Sequence, residues 1–319
     1  MASDATPERA VPTLSIIVPT YKESKNVPIL FERITATLGG MPWEMIVVDD
    51  DSPDGTSNVA FGLAAADSRL RCLRRVNRSG LAGAVIEGWM SSSADFVAVI
   101  DGDLQHDESI LLAMYQALAK GSGDLVVGTR LRDASEGTLS PARQRLSDLG
   151  AWFFRRIAGA TVSDPMSGFF MIRREIVSRL APRLSPDGFK ILVDVILSAG
   201  GGLNIVEVPY VFRKRHAGES KLTPLVGIDF LGVVVHHATA GALPTRFVLF
   251  AMIGVVGLVV HVVALSAVLN RSSMLTFDSG QLVATVVAMA SNLFVLRVIY
   301  CDHRCAGDSG GARRSIGRI

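Results

Sequence analysis

Asp101-Gly102-Asp103 directly follows the apolar run Phe96-Val97-Ala98-Val99-Ile100, and Leu104-Gln105-His106 comes next. Two carboxylates one residue apart, at the end of a buried strand, are a hard-oxygen site for Mg²⁺ or Mn²⁺. Such ions are held by one or two carboxylates together with the phosphates of a substrate. Gly102 lets backbone or ligand approach closely. An Asp-x-Asp alone is more often a turn or a helix cap, so its meaning rests on its neighbours.

Those neighbours are two more polar clusters. Pro19-Thr20-Tyr21-Lys22-Glu23 ends one apolar run, and Asp49-Asp50-Asp51-Ser52-Pro53-Asp54 ends another. A pocket this acidic repels itself unless a cation or basic ligand groups fill it. A nucleotide base offers N–H donors to a carboxylate such as Asp50, while a cation near Asp103 neutralises a diphosphate. Taken singly, Asp49 to Asp54 also reads as a solvated turn, and Tyr21 and Glu23 as a loop tyrosine and a helix-start acid.

The apolar patterning supplies the elements that must bring these clusters together. Leu14 to Pro19 reads as a buried strand, followed by a helix from Asn26 to Leu38 with Val27, Leu30, Ile34 and Leu38 on one face. Glu44 to Val48, Arg71 to Arg75, Phe96 to Ile100 and Leu125 to Gly128 are further strands. Helices are predicted between them over Thr56 to Asp67, Gly80 to Ser91 and Ile110 to Lys120. Alternating strands and helices make an α/β fold with a mostly parallel central sheet. Ligands of such sheets bind beyond the carboxyl ends of the strands, where the polar clusters fall.

The 319-residue chain is long enough for two domains, and its net charge of +2 singles out no partner. Cys72, Cys301 and Cys305 make no disulfide framework, which fits a reducing compartment. The polar segment from Met1 to Pro12 has no apolar core and is not read as a signal peptide, so the first domain is expected in the cytoplasm. The apolar surplus lies late in the chain. Phe247 to Leu269 and Gln281 to Cys301 have the length of membrane spans. Arg246 precedes the first, and Arg304, Arg313, Arg314 and Arg318 follow the second. A cytoplasmic placement of both ends makes them a hairpin. Leu225 to Ala240, with His236 and His237, fits an interfacial helix. The expected order is a polar tail (1–12), a catalytic domain (13–222), an interfacial amphipathic helix (223–242), a two-helix transmembrane hairpin (243–302) and a polar tail (303–319).

Seven blocks, IVPTYKES, VVDDDSPDGT, DGDLQH, VGTR, DPMSGFF, GFKIL and RKRHAGESKL, stand in this order between Ile17 and Leu222. In them the chain resembles the dolichyl-phosphate (polyprenyl-phosphate) mannose synthases. These are inverting family 2 glycosyltransferases with an A-type nucleotide-binding fold. The resemblance implies that Pro19, Tyr21, Glu23, Val48 and Asp50 contact the nucleotide. It implies that Asp101, Gly102 and Asp103 hold the diphosphate and sugar, with Asp103 and Gln105 as metal ligands and Asp101 beside them. Arg130 would approach the phosphates. Arg143, Ser147, Arg215 and Lys221 would bind the acceptor phosphate. The hairpin resembles part of a four-helix membrane domain fused to some members, here shortened to two spans.

The implied reaction carries mannose from GDP-mannose to a polyprenyl phosphate at the cytoplasmic membrane face, with Mg²⁺ or Mn²⁺. Arginine forks match phosphate oxygens, and Arg213, Lys214 and Arg215 would lie near headgroups. The nearest rival is a UDP-glucose:undecaprenyl-phosphate glucosyltransferase, against which His106 is a slight pointer. A processive synthase would need a Gln-x-x-Arg-Trp segment, and Trp43, Trp89 and Trp152 stand in no such setting. A non-catalytic membrane scaffold is disfavoured by the intact Asp101, Asp103, Gln105, Arg130 and Arg215. No P-loop occurs, and basic residues are not interleaved with aromatics as in a nucleic-acid binder.

Overall fold

The computed structural model describes residues 11–131, 162–186, 191–213, 245–271 and 277–305. The chain divides into two compact units, Met1–Leu222 and Thr223–Ile319.

In the first unit, the strands β1 (Leu14–Thr20), β2 (Trp43–Asp49), β3 (Leu70–Arg74), β4 (Phe96–Val99), β5 (Leu125–Leu131), β6 (Phe170–Arg173) and β7 (Ile205–Val211) form one sheet. The helices α1 (Asn26–Leu38), α2 (Thr56–Ala66), α3 (Leu81–Met90) and α4 (Leu111–Ala119) alternate with the early strands, and α5 (Arg174–Leu180) and α6 (Ile191–Ser198) come later. The strand order is β3-β2-β1-β4-β6-β5-β7. β1 pairs in parallel with β2 and β4, and β5 in parallel with β7. Every residue of β2 and β4 is buried, which is why these strands read as continuous apolar runs rather than alternating ones.

One helix face closes the core on each side of the sheet. Val27, Leu30, Ile34 and Leu38 of α1 are all buried, as their helical spacing predicts. They meet Leu14, Ile16 and Val18 of β1. On the opposite face α3 lies almost on the backbone of the strands. A Cβ at Gly88 would stand 2.4 Å from Cγ2 of Ile17 and 3.1 Å from Cγ2 of Val48. The missing side chain is what permits that approach.

The sheet is more mixed than the alternating pattern predicts. β6 runs antiparallel between β4 and β5. A four-residue strand is too short to reveal a period in sequence. β7 was not foreseen either, since Pro209 argues against a central strand. It is an edge strand, where proline is tolerated. The chain leaves β1 for β2 and β3 on one side, then crosses to β4 on the other. In open α/β sheets such a reversal is where ligands bind, here beyond the carboxyl ends of β1 and β4.

In the second unit, α7 (Thr245–Arg271) and α8 (Phe277–Cys305) pack as an antiparallel pair. Gly257 lies against the amide of Asn292, and Gly280 against Leu265, Val268 and Leu269. Val255, Leu258, Val259 and Val263 on α7, with Leu282, Val286, Met289 and Leu293 on α8, are exposed. Among the described residues, the stretch Phe277–Arg297 alone is long and apolar enough to cross a bilayer. Among the described residues of α7, Ile253–Leu269 is a further apolar stretch. The expected interfacial helix lies outside the described residues.

The close seat of α3 yields a test. Gly88→Ala adds up to about 1 kcal/mol of helix propensity but forces a methyl into Ile17, an overpacking that costs about 1–3 kcal/mol. The expected outcome is a lower unfolding midpoint; a higher one contradicts the packing.

Candidate active site

The loops after β1 and β2 are laced to each other. The Lys22 N–H donates to Ser52 Oγ (2.9 Å), the Glu23 N–H to Thr56 Oγ1 (3.0 Å), and the Ser24 N–H to Asp54 Oδ2 (3.1 Å). The Asp50 N–H donates to the Thr20 carbonyl (3.1 Å). Lys22 and Asp51 both take left-handed backbone, at φ 62° and 52°, a region sparse for non-glycine residues. The lacing holds them there, and the Lys22 ammonium lies over the Tyr21 ring.

The run of three aspartates separates into three roles. Asp49 is fully buried and accepts from Thr20 Oγ1 (3.1 Å), the Ser52 N–H (3.0 Å), Ser52 Oγ (2.5 Å) and Ser57 Oγ. Its charge is spent on building the loop. Asp51 pairs with the exposed Arg74. Asp50 stands at the crevice, accepting from Arg75 Nη1 (2.5 Å) and the Gly80 N–H (2.8 Å). Burial pushes the Asp50 carboxyl up from its usual range, against the opposing pull of Gly80 and Arg75. Arg75 is itself buried and also donates to Glu87 and the Gly80 carbonyl. Sequence reasoning missed this arginine. The available signal was a charged residue closing the strand next to the aspartate run.

Gly102 joins the Asp-x-Asp to the first loop. A Cβ there would lie 3.3 Å from Thr20 Cγ2 and 3.5 Å from Glu23 Cγ. Asp103 is buried and its Oδ1 accepts from the Gln105 N–H (3.1 Å). Asp101 is about a third exposed, and its Oδ2 lies 3.1 Å from His106 Nε2. Gly168, in the turn before β6, gives Asp101 room, since a Cβ there would fall 2.4 Å from that same Oδ2. Pro19 is half-buried within β1. Val48 is fully buried beneath α3, so its side chain forms floor and only its backbone can meet a ligand.

Arg130, at the end of β5, donates to Asp164 Oδ2 (2.8 Å) and lies over the Phe212 ring at 5.2 Å. Tyr210 on β7 senses the whole cluster. Burial raises its hydroxyl well above the ordinary value, with Arg130 opposing and Asp164, Asp101 and Asp103 adding to the rise. The structure thus brings Asp101, Asp103 and Arg130 together beside Gln105. Arg143, Ser147, Arg215 and Lys221 lie outside the described residues.

One expectation changes. Arg213, read as a headgroup contact, is committed to Asp107 and Glu108 through two 2.7 Å ion pairs. Its backbone N–H also donates to the Gln105 carbonyl (2.8 Å), and Gln105 Nε2 donates to the Arg213 carbonyl (3.3 Å). Arg213 therefore moors the start of the basic segment to the Asp-x-Asp loop. Asp194 is buried and accepts from the Ser185 N–H (2.7 Å), a supporting role in the fold.

The donor set suits a hard divalent cation. It offers one partly exposed and one buried carboxylate, with an amide two residues on. No group of three or more His, Cys, Asp or Glu residues gathers for a metal among the described residues. An ion here would complete its shell with water and substrate phosphates, as Mg²⁺ does.

These features define a GT-A-like α/β fold whose charged crevice lies at the sheet's switch point. Solved glucosyl-3-phosphoglycerate synthases from Mycobacterium tuberculosis share this fold. The complex with Mn²⁺, UDP and glucosyl-3-phosphoglycerate aligns at TM-score 0.54 and 21% identity, covering 74% of this chain and 82% of the other. The complex with Mg²⁺ and UDP aligns at TM-score 0.55 and 18% identity, covering 72% and 80%. Residues 15–181 match the model of glycosyl transferase family 2. The dolichol-phosphate mannosyltransferase of Pyrococcus furiosus is 36% identical over 78% of this chain and 70% of its own length. That of Saccharomyces cerevisiae is 31% identical over 68% and 84%. The undecaprenyl-phosphate mannosyltransferase of Micrococcus luteus is 30% identical over 72% and 94%. The chain belongs to glycosyl transferase family 2 and is a glycosyltransferase.

The lacing of the loops has a pH signature. Burial alone would raise the Asp54 carboxyl, but hydrogen bonds from Thr56 and Ser24 outweigh it and hold the pKa below the usual 3.8. A depressed carboxylate contributes stability above its unfolded pKa and loses it as pH falls through the folded one. Asp54→Asn should lower the unfolding midpoint at neutral pH, and the curves of the two proteins should converge in acid below 3.8. A deficit that grows in acid contradicts the assignment.

Proposed function

We propose that this enzyme transfers mannose from GDP-mannose to a polyprenyl phosphate, with inversion, at the cytoplasmic face of a membrane. What supports the reading is the placement of Asp101, Asp103 and Gln105 after β4 and of Arg130 at the end of β5, in a chain 36% identical to a dolichol-phosphate mannosyltransferase. Asp50, held by Arg75 and Gly80, offers acceptor oxygens to the N–H groups of a base. Tyr21, Glu23, Pro19 and the Val48 backbone form the wall and floor for nucleoside. Asp101, Asp103 and Gln105 would hold Mg²⁺ or Mn²⁺, which when bound supplies positive charge to the diphosphate. Arg130 would reach the same phosphates, exchanging part of its bond to Asp164.

The acceptor side rests on Arg143, Ser147, Arg215 and Lys221. A phosphate monoester has a second pKa of about 6, so its oxygen is largely ionised at neutral pH. It attacks the anomeric carbon without a strong base. Arginine and lysine restrain the repulsion between the two phosphate groups and orient the attack. Attack opposite the leaving diphosphate converts an α-linked donor into a β-linked lipid phosphate sugar. The exposed apolar faces of α7 and α8 suit the membrane, and we assign the pair as a hairpin with both ends in the cytoplasm.

The decisive assay uses the full chain in detergent with Mn²⁺, a polyprenyl phosphate and radiolabelled GDP-mannose or UDP-glucose, scored by label entering the organic phase. GDP-mannose should be the productive donor; label moving only from UDP-glucose would establish the glucosyl reading instead. Asp103→Ala should abolish turnover. Arg215→Ala should raise KM for the lipid about tenfold or more while leaving nucleotide affinity unchanged. Equal loss of both affinities would remove Arg215 from the acceptor site. An anomeric coupling showing retained configuration in the product would overturn the inverting mechanism.

A further inference from the structure

His106 is a buried polar group beside Asp101. It is 5% exposed, and its ring stands among Phe169, Tyr210 and Phe212 at centroid distances of 5.4–5.6 Å. Nδ1 lies 2.5 Å from the Tyr210 hydroxyl and Nε2 lies 3.1 Å from Asp101 Oδ2. Tyr210 is 3% exposed and sits on β7, 104 residues from His106 along the chain. Two elements of distant sequence therefore converge on one carboxylate oxygen through a single imidazole.

The tautomer decides the direction of these bonds. An ionised carboxylate only accepts, so a ring that bonds Asp101 does so with Nε2–H; an uncharged ring then offers Nδ1 as acceptor to the Tyr210 hydroxyl. The Asp101 carboxylate also lies against Gly168, where a Cβ would fall 2.4 Å from Oδ2 and 2.9 Å from Oδ1. What distinguishes the two oxygens is the imidazole, which engages Oδ2.

We propose that His106 and Tyr210 are positioning residues that clamp Oδ2 of Asp101, so that Asp101 presents Oδ1 alone to the donor and its cation. This rests on the proposed sugar-nucleotide site and adds to it how one of its carboxylates is aimed. A carboxylate free to rotate would present either oxygen or both, and would pay rotamer entropy on binding. The clamp removes that freedom before the ligand arrives. It makes β7 part of the site although no β7 residue was singled out in the sequence. The segment continuing from β7 is moored by Arg213 to the Asp107–Glu108 turn, so the strut has a fixed foot.

The test separates aiming from folding. Three variants are compared with the parent: Tyr210→Phe, which removes the donor to Nδ1 and keeps the ring; His106→Gln, whose amide can still donate to Asp101; and His106→Leu, which cannot. Three readouts are taken. Thermal midpoint without ligand reports folding. Mn²⁺ affinity in the presence of GDP is read by electron paramagnetic resonance. The ¹⁵N shifts of selectively labelled histidine report the tautomer. The expected result is an Nε2–H tautomer in the parent. Mn²⁺ affinity should fall about 10- to 100-fold in His106→Leu and be largely restored in His106→Gln. Tyr210→Phe should give a smaller loss and displaced His106 nitrogen shifts. An Nδ1–H tautomer, or unchanged Mn²⁺ affinity in a folded His106→Leu, overturns the clamp. Failure of the parent itself to bind Mn²⁺ with GDP would instead refute the proposed site, a result distinguishable from the first two.

Discussion

Carboxylates gathered at the mouth of a parallel sheet repel one another, and much of the structure around β1, β2 and β4 answers that repulsion. The answers differ by position. Asp49 is satisfied by hydroxyls and a backbone N–H deep in the loop. Asp50, Asp51 and Asp164 each meet an arginine guanidinium. Asp101 is held by an imidazole and Asp103 by a backbone N–H. A buried carboxylate without compensation would simply take up a proton. The fold therefore distributes its positive charge around the rim and leaves the crevice to its ligand.

How much of this could be read from sequence follows from the range of the forces involved. The strands β1, β2 and β4 were legible because each is buried on both faces and carries an unbroken apolar run. α1 was legible because Val27, Leu30, Ile34 and Leu38 repeat on a helical face. β7 was not, since it carries Pro209 at an edge, and the antiparallel direction of β6 does not show in a run of four residues. Among site residues, Asp50, Asp101, Asp103, Gln105 and Arg130 stand out by type and by position after strands. Arg75, Tyr210 and Arg213 do not, because each acts through a partner distant in sequence. Arg75 reaches back 25 residues to Asp50, and Tyr210 reaches 104 to His106. Pairings of this kind exist only once the sheet has formed.

The second unit carries a different constraint. α7 and α8 approach closely because Gly257 and Gly280 remove side chains at the contact. Small residues play this part where helices pack without a strong hydrophobic drive between them. Their outward faces are rich in valine, leucine and phenylalanine, a surface that water would disfavour and hydrocarbon would accept.

The geometry of His106 also bears on what kind of chemistry the crevice performs. A histidine beside a sugar-transfer site invites the role of general base. Here both ring nitrogens are engaged and the ring is enclosed by aromatics. A base must reach the proton it removes through at most one water, and this imidazole has no free nitrogen to offer. The commitment of His106 to Asp101 and Tyr210 therefore removes this histidine from the groups that could serve as the base.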